Sequence, residues 1–519
     1  MRNIIIFLIC CCACNIFISC YEDKGNYNYT DRGDITLEGW EEKHTVISLS
    51  DTLDITPQLF HPEGYDYLWL LYNEQASFDY DTIGRDYRLV WPVNEPQGNY
   101  KLLLKVTARS DGYSQLFYAN VVITSDFSNG WFVLKSQNGE TDIDFFTLKA
   151  ERFTNLLSQS TGRKLTGEAQ GISLAPNFAL LNSSGEVTWG ASILYVLSKE
   201  DCWMVNLADM SVIRDFSEMF FSSAMEKEKP KTLVAPDASA MYLFTDHNAH
   251  HANTQGSGTG QFGMAFNFKK DVETGNYAIR KQPGTIFYDQ KNFRFLGVTY
   301  SGTAIIFSED PKVAGVIPPV LMNNTGCKME YMGINKWASE FFYALMSNAN
   351  KTEKYVYTMY APEIPHWQAE DQRKMGEYNL IYAVDTLKAG SEITEATLFA
   401  ISSNLPYIYC NTPSGNAVHY YDIKGKCMEK NIFPIPAGEK ITYMKSWYYD
   451  ASEEDGKFDK FVIATENDGH YKVYLYDLLA GKPHPDKEPQ ILTGEGAIKA
   501  IQPIRSSMRY AYDKLPANF

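Results

Sequence analysis

Beyond its first twenty residues the chain is poor in cysteine. Only Cys202, Cys327, Cys410 and Cys427 remain, far apart and without CxxC spacing. That removes the ligand spacing of structural zinc sites. Four thiols allow three disulfide pairings and the sequence selects none, so buried free thiols are expected. Basic runs are also missing. Lys and Arg number 47 against 63 Asp and Glu, a formal charge of −16. Nucleic acid is excluded as a partner, because its binding rests on neutralising phosphates with Lys and Arg. Adsorption onto anionic lipid is excluded for the same reason. The familiar catalytic signatures are absent: no GxSxG elbow, no HExxH and no sialidase-type Asp-box series. Acid and base carboxylates of a glycosidase are recognised by distance, which a sequence does not give. The expectation is a protein that is not an enzyme.

A membrane-spanning run is lacking too. Met1-Arg2-Asn3 precedes an uncharged stretch from Ile4 to Ser19, short of the roughly 20 apolar residues of a spanning helix. A basic start followed by a short apolar run reads as a secretory signal over residues 1–19. It ends in Phe17-Ile18-Ser19-Cys20, a small residue before a cysteine, which is the layout for cleavage and lipidation at Cys20. Cys14, preceded by Ala13, competes. Cys20 is preferred because Ile16, Phe17 and Ile18 still belong to the apolar stretch. Residues 20–34 are polar and read as a tether. Acyl chains on Cys20, at about 0.8 kcal/mol per buried CH2, would hold the chain to a membrane.

What the chain does have is β pattern. Tyr65, Tyr67, Trp69 and Leu71 alternate, as do Tyr100, Leu102, Leu104 and Val106, and then Phe117, Ala119, Val121 and Ile123. Period two means half-buried strands. Residues 35–125 therefore predict a small β-sandwich. From residue 130 to about 510 the text repeats as strand, tight polar turn, strand. The seven hairpins begin at Trp131, Ile193, Met241, Phe295, Phe341, Tyr407 and Phe461. Met241–Thr245 is paired with Met264–Phe268 across a long insertion. Two copies match in wording: Val418-His419-Tyr420-Tyr421-Asp422-Ile423 before Gly425-Lys426, and Val473-Tyr474-Leu475-Tyr476-Asp477-Leu478 before Gly481-Lys482. A period near 50 residues predicts a β-propeller of about seven blades. The segment at Ala497–Ile501 is placed to close the ring on the first blade.

Few residues carry a chemical signature. Gly258, Gly260 and Gly263 spell GxGxxG, but Met264–Phe268 behind them reads as strand and not as the helix that a nucleotide cradle needs. Asp246, His247, His250 and His251 form the densest metal-capable cluster, in what reads as a loop. A divalent ion there is the one cofactor indicated. His366 and Trp367 follow Pro362 and Pro365 and offer an aromatic platform for a ligand. Trp69, Trp131 and Trp203 sit inside strand patterns and are expected in the core. Three Asp-Thr-aliphatic triplets place Thr52, Thr82 and Thr386 in what resembles the O-glycosylation sequon of exported Bacteroidetes proteins.

A family resemblance adds to this reading. The segment Cys20-Tyr21-Glu22-Asp23-Lys24-Gly25-Asn26-Tyr27-Asn28-Tyr29 resembles the mature start of PKD-like lipoproteins of Bacteroidetes. Its acidic residues behind the cysteine resemble their surface-export signal. Gly98-Asn99-Tyr100-Lys101-Leu102-Leu103-Leu104-Lys105-Val106 resembles the penultimate strand of PKD domains, an immunoglobulin-like sandwich. Gly130-Trp131-Phe132-Val133-Leu134 resembles the entry to the propeller-like region of that family. One departure matters. PKD domains proper carry an Asp-Phe-Gly-Asp-Gly type segment after the central Trp, whereas Trp69 is followed by Leu70-Leu71-Tyr72. The ligand roles of true PKD domains therefore do not transfer.

The resemblance implies a lipoprotein of the outer membrane facing the cell surface. It would accompany a Sus-like uptake system, with a TonB-dependent transporter and Sus-like lipoproteins as partners and a glycan or peptide as ligand. Loops 246–262 and 361–372 are expected to form the site. Two alternatives stand beside a non-catalytic binding protein. One is a propeller hydrolase or polysaccharide lyase with acidic residues around the central channel. The other is a structural subunit that docks on the transporter.

Overall fold

A computed structural model describes residues 34–505 and Met508, apart from 49–50, 74–79, 96–97, 125–126, 128, 182–186, 223–227, 236–239, 254–258, 282–283, 300–301, 313–316, 336–340, 361–373 and 450–456. Cys20, His366 and Trp367 lie outside the described residues. The chain is almost entirely β and divides into two compact units.

The N-terminal strands build a sandwich-type domain. One sheet has the order Lys43–Ile47, Ser114–Thr124, Gly98–Ala108, Tyr65–Asn73 and Asp81–Gly84. Thr52–Ile55 pairs with Leu89–Pro92 in a second, two-stranded sheet. The alternating residues do face a core: Trp69, Leu71, Leu102, Leu104, Val106, Val121 and Ile123 are buried. Trp69 donates its Nε1–H to Asp86 O at 2.9 Å, so the largest core side chain is also satisfied.

The second unit is a β-propeller. Seven antiparallel sheets follow one another among the described residues. Blades 2 to 7 each begin at an inner strand: Ala169–Leu181, Pro230–Val234, Thr274–Lys281, Cys327–Ile334, Phe399–Ile401 and Lys440–Tyr449. Blade 1 starts without one, at Gly130–Gln137. Its inner strand is Ala497–Ile504, from the other end of the chain, which pairs antiparallel from Ala497 opposite Ser136 to Ile504 opposite Gly130. Each inner strand lies against the next, and the seventh lies against the strand from the C-terminal end, so the ring is closed. Closure leaves no sheet edge exposed between first and last blades.

Burial explains the repeat seen in the sequence. Five of the seven hairpins are a blade's second and third strands; the one at Phe295 is blade 4's third and fourth, Arg294–Thr299 and Ala304–Ile306, because Gly284–Asp289 stands between it and the inner strand. The second strands are covered on both faces by neighbouring blades; Met241–Thr245 lies inside the wholly buried Ala240–Thr245, and in blade 4 the third strand, Arg294–Thr299, is likewise buried throughout. Such strands read as continuous apolar runs. The two matching segments, at Val418 and Val473, fall on the third strands of blades 6 and 7. Trp131 and Trp203 are buried as expected. A second hairpin, in blade 3, is also corrected. Met241–Thr245 turns tightly into Ala249–Asn253, and Met264–Phe268 is not a strand. That segment instead bonds to its neighbour at two points, Gly263 N to His251 O and Phe266 N to Ala249 O. The true third strand, Ala-His-His-Ala-Asn, is too polar to be read as a strand. Its His250 is buried nonetheless, with Nδ1 3.1 Å from Gly263 O and Nε2 3.1 Å from Glu228 Oε2.

The ring closure carries a buried ionic hub. Asp144, fully buried on the third strand of blade 1, meets Lys135 Nζ at 2.7 Å and Arg152 Nη2 at 2.7 Å. Tyr471 of blade 7 donates its hydroxyl to Asp144 Oδ2 at 2.6 Å, and Asn155 N donates to Oδ1 at 2.9 Å. Arg505 adds a second tie. It donates to Gly130 O at 3.3 Å and lies over the Trp131 and Phe458 rings at 5.6 and 4.7 Å. Gly496 makes the approach of the last strand possible. Its φ is +103°, and a Cβ there would sit 2.7 Å from Ser136 O.

One half-buried carboxyl works against the fold. Asp459, on the second strand of blade 7, is pushed up to about 6 by burial, although Asn404 Nδ2 donates to its Oδ2 at 2.7 Å. Its Oδ1 is buried with no hydrogen-bond partner. A carboxyl raised in the folded state makes folding costly above pH 6, and the cost disappears as pH falls from 6 towards 4. Asp459→Asn is therefore expected to stabilise the protein by about 1 kcal/mol at pH 8 and by nothing at pH 4, after allowance for partial exposure. Urea titrations at the two pH values measure this. Equal effects at both would show that ionisation is not the cause.

Candidate functional site

All seven inner strands line a central channel with a cavity of about 430 Å³. That volume lies within the roughly 300–1,000 Å³ of small-molecule sites. Among its described lining residues are four lysines, Lys199, Lys231, Lys445 and Lys499, and not one Asp or Glu. The expectation of acidic residues around the channel is therefore wrong in sign. The surplus of 16 negative charges on the chain lies elsewhere.

The four amines are not equivalent. Lys199 bonds to Glu168 at the rim, and this bond holds the Glu168 carboxyl below its usual range, with a smaller contribution from Lys499. Lys445 lies further along its strand, its Nζ 4.4 Å from the centre of the Trp447 ring. Burial pulls its ammonium down to about 8. Lys231 and Lys499 come from the inner strands of blades 3 and 1.

Three tyrosine rings also line the wall, among aliphatic and small residues. Tyr277 and Tyr331 pack with centroids 4.7 Å apart, and Tyr443 stands on the same strand as Lys445. Burial pushes all three hydroxyls up, so they remain protonated donors at any physiological pH. Tyr277 is nevertheless 36% exposed. It is deep in the protein yet open to the channel. Gln170 bridges three blades, donating from Nε2 to Lys231 O at 3.0 Å and to Asn276 Oδ1 at 3.4 Å. Ser173 Oγ is buried at the wall without a hydrogen-bond partner.

The residues singled out in the sequence fall elsewhere. Asp246, His247, His250 and His251 do not converge. His250 and His251 are neighbours in a strand, so they point to opposite faces. His250 is held by Glu228, His251 faces Tyr242 at 5.5 Å, and His247 is 3.4 Å from Asp246 at the surface. Among the described residues no three metal-capable side chains form a cluster. Gly260 has φ +66° and abuts Phe178 and Met204, which makes it a packing glycine; no strand follows it, contrary to the reading above, and no helix. Thr52, Thr82 and Thr386 are all exposed on edge strands. Cys202, Cys327 and Cys410 are buried free thiols, while Cys427 is exposed. The channel lysines were missed. Their signal was a lone Lys inside an apolar strand, as in Ala497-Ile498-Lys499-Ala500-Ile501.

Comparison with known proteins supplies a family likeness for one part of the chain. Residues 20–169 match the PKD-like family model. The match covers the sandwich and runs on through the first propeller hairpin. No curated protein is similar. Among solved structures, a quinonprotein alcohol dehydrogenase-like protein from Bacteroides thetaiotaomicron is 12% identical, with a TM-score of 0.46 over 89% of this chain and 96% of that one. An auxiliary nutrient binding protein from the same organism is 8% identical, with a TM-score of 0.28 over 83% and 95%. The β-propeller domain of Cps50 (Swd1) from Myceliophteria thermophila is 9% identical, with a TM-score of 0.34 over 63% and 88%. At TM-scores this low the three likenesses carry no argument about function.

Proposed function

We propose that the protein is a lipoprotein of the outer membrane, anchored through Cys20 and facing outward. It acts as a non-catalytic binding component of a Sus-like nutrient uptake system, alongside a TonB-dependent transporter. Its ligand, a glycan or peptide fragment, sits in the propeller channel. The observation that carries this reading is the channel wall. It offers tyrosine faces, neutral hydroxyl donors and amines in a cavity of ligand size. Tyrosine gives large contact area with a polar tip, which suits polar ring ligands. A two-carboxylate glycosidase finds no acid and base among the described lining residues. The exposed Thr52, Thr82 and Thr386 are glycan acceptors in this reading.

One purification from the native host tests it. The full-length protein is applied to glycan and peptide arrays, and its attached lipid and sugars are read by mass spectrometry. Expected are binding without product release, acyl chains on Cys20 and hexose on the three threonines. Product released from a bound polymer would favour the enzyme reading. Silence on both arrays, with a transporter co-purifying, would leave the docking subunit in its place. Acylation at Cys14 would move the anchor.

A further inference from the structure

The channel carries more positive charge than Glu168, the carboxylate at its rim, offsets. Lys199 is engaged by Glu168, but Lys231, Lys445 and Lys499 have no carboxylate at ion-pair distance among the described residues. Three amines from blades 3, 7 and 1 line one cavity, and low-dielectric walls concentrate the field of such charges. A protein that needed only a structural plug would fill this space with apolar side chains. Here the positive excess stands in a chain that is acidic overall. An anion entering from solvent balances it.

We propose that the channel takes a small acidic saccharide, a sugar ring bearing a carboxylate or a sulfate. The inference rests on the channel being the binding site and names the class of ligand. The amines of Lys231 and Lys499 meet the anionic group as point charges. The Tyr277 and Tyr331 rings, 4.7 Å apart, supply the wall against which the sugar ring lies. Ser173 Oγ, buried and without a partner, gains a hydrogen bond to a sugar hydroxyl. The carboxylate and the sulfate share one chemistry, a compact oxyanion on a hydroxylated ring. The chain's own negative charge keeps non-specific polyanions away from the outer surface, so selection happens inside the channel.

Titration calorimetry of the full-length protein in detergent, with three disaccharide probes, tests this. The probes are digalacturonate, a sulfated galactose disaccharide and neutral digalactose. Expected is binding of one or both acidic probes at least tenfold tighter than digalactose. The Lys231→Met, Lys499→Met double variant should lose that preference while its melting temperature holds. Digalacturonate alone binding assigns the carboxylate, and the sulfated probe alone assigns the sulfate. Digalactose binding as tightly as the acids, and lost in Tyr277→Ala, would overturn the acidic class and keep the channel as the site. No binding of any probe would overturn the inference; the array result then decides whether the channel binds anything.

Discussion

Asp144→Ala is expected to destabilise the propeller by about 3–5 kcal/mol at pH 7, the usual cost of removing one partner from a buried ion pair. The carboxylate is wholly buried, so burial alone would raise its pKa. Lys135 in ion pair, with the hydroxyl of Tyr471 and the backbone of Asn155, outweighs that and holds it below the usual range. Alanine leaves Lys135, itself only 3% exposed, as a buried unpaired ammonium. It also frees the Tyr471 hydroxyl that reaches across from blade 7. A group with a depressed folded pKa gives its stabilisation above its unfolded pKa and loses it as pH falls through the folded one. The penalty should therefore be full at pH 7 and shrink below about pH 4. Urea unfolding at pH 7 and at the lowest pH the protein tolerates measures both. A loss under about 1 kcal/mol at pH 7 would mean that the hub is not what holds blades 1 and 7 together.

A chain ended after Gly496 is expected to lose the cooperative propeller altogether. The missing strand buries Ile498, Ile501 and Ile504 almost completely, at about 1.5–3 kcal/mol each. Its ladder with Gly130–Gln137 goes as well, leaving that strand as an open edge. The combined loss is comparable with the roughly 5–15 kcal/mol that a folded protein has in total. Near-ultraviolet circular dichroism should collapse while most far-ultraviolet signal stays. A synthetic peptide of residues 497–505 added in excess should restore part of it. A truncated chain that melts cooperatively within a few degrees of the full one would show that the ring does not need its clasp.

The sequence made the propeller legible through its second and third strands, and in blade 4 through the third and fourth. Those strands are pressed between blades and carry long apolar runs, as Ala240–Thr245 and Arg294–Thr299 do. Inner strands were harder to read for a physical reason. They face a wet channel, so lysine, tyrosine, threonine and glycine interrupt them, as at Lys231, Tyr277 and Gly333. The site therefore lay in the segments with the weakest pattern. The histidine cluster misled in the opposite way. Clustering in sequence is not convergence in space, because adjacent residues in a strand point apart. Blade 3 was misread at the same place, since a buried histidine satisfied by Glu228 looks like surface to any apolar count. The sandwich, with one buried face per strand, was easier, and Trp69 stands in its core as the alternation required.

The clasp between the chain's last strand and its first blade has a consequence in time. Arg505 and Gly130, hydrogen-bonded in the finished protein, are 375 positions apart. A ribosome working at about 5–20 residues per second delivers them roughly 20–75 seconds apart. Throughout that interval blade 1 has an open rim, one free edge of Gly130–Gln137, a strand rich in aromatic and aliphatic side chains. The nascent propeller is thus exposed to mispairing for longer than a fold whose partners are local. It depends on the arrival of Ala497–Ile504 to become one object.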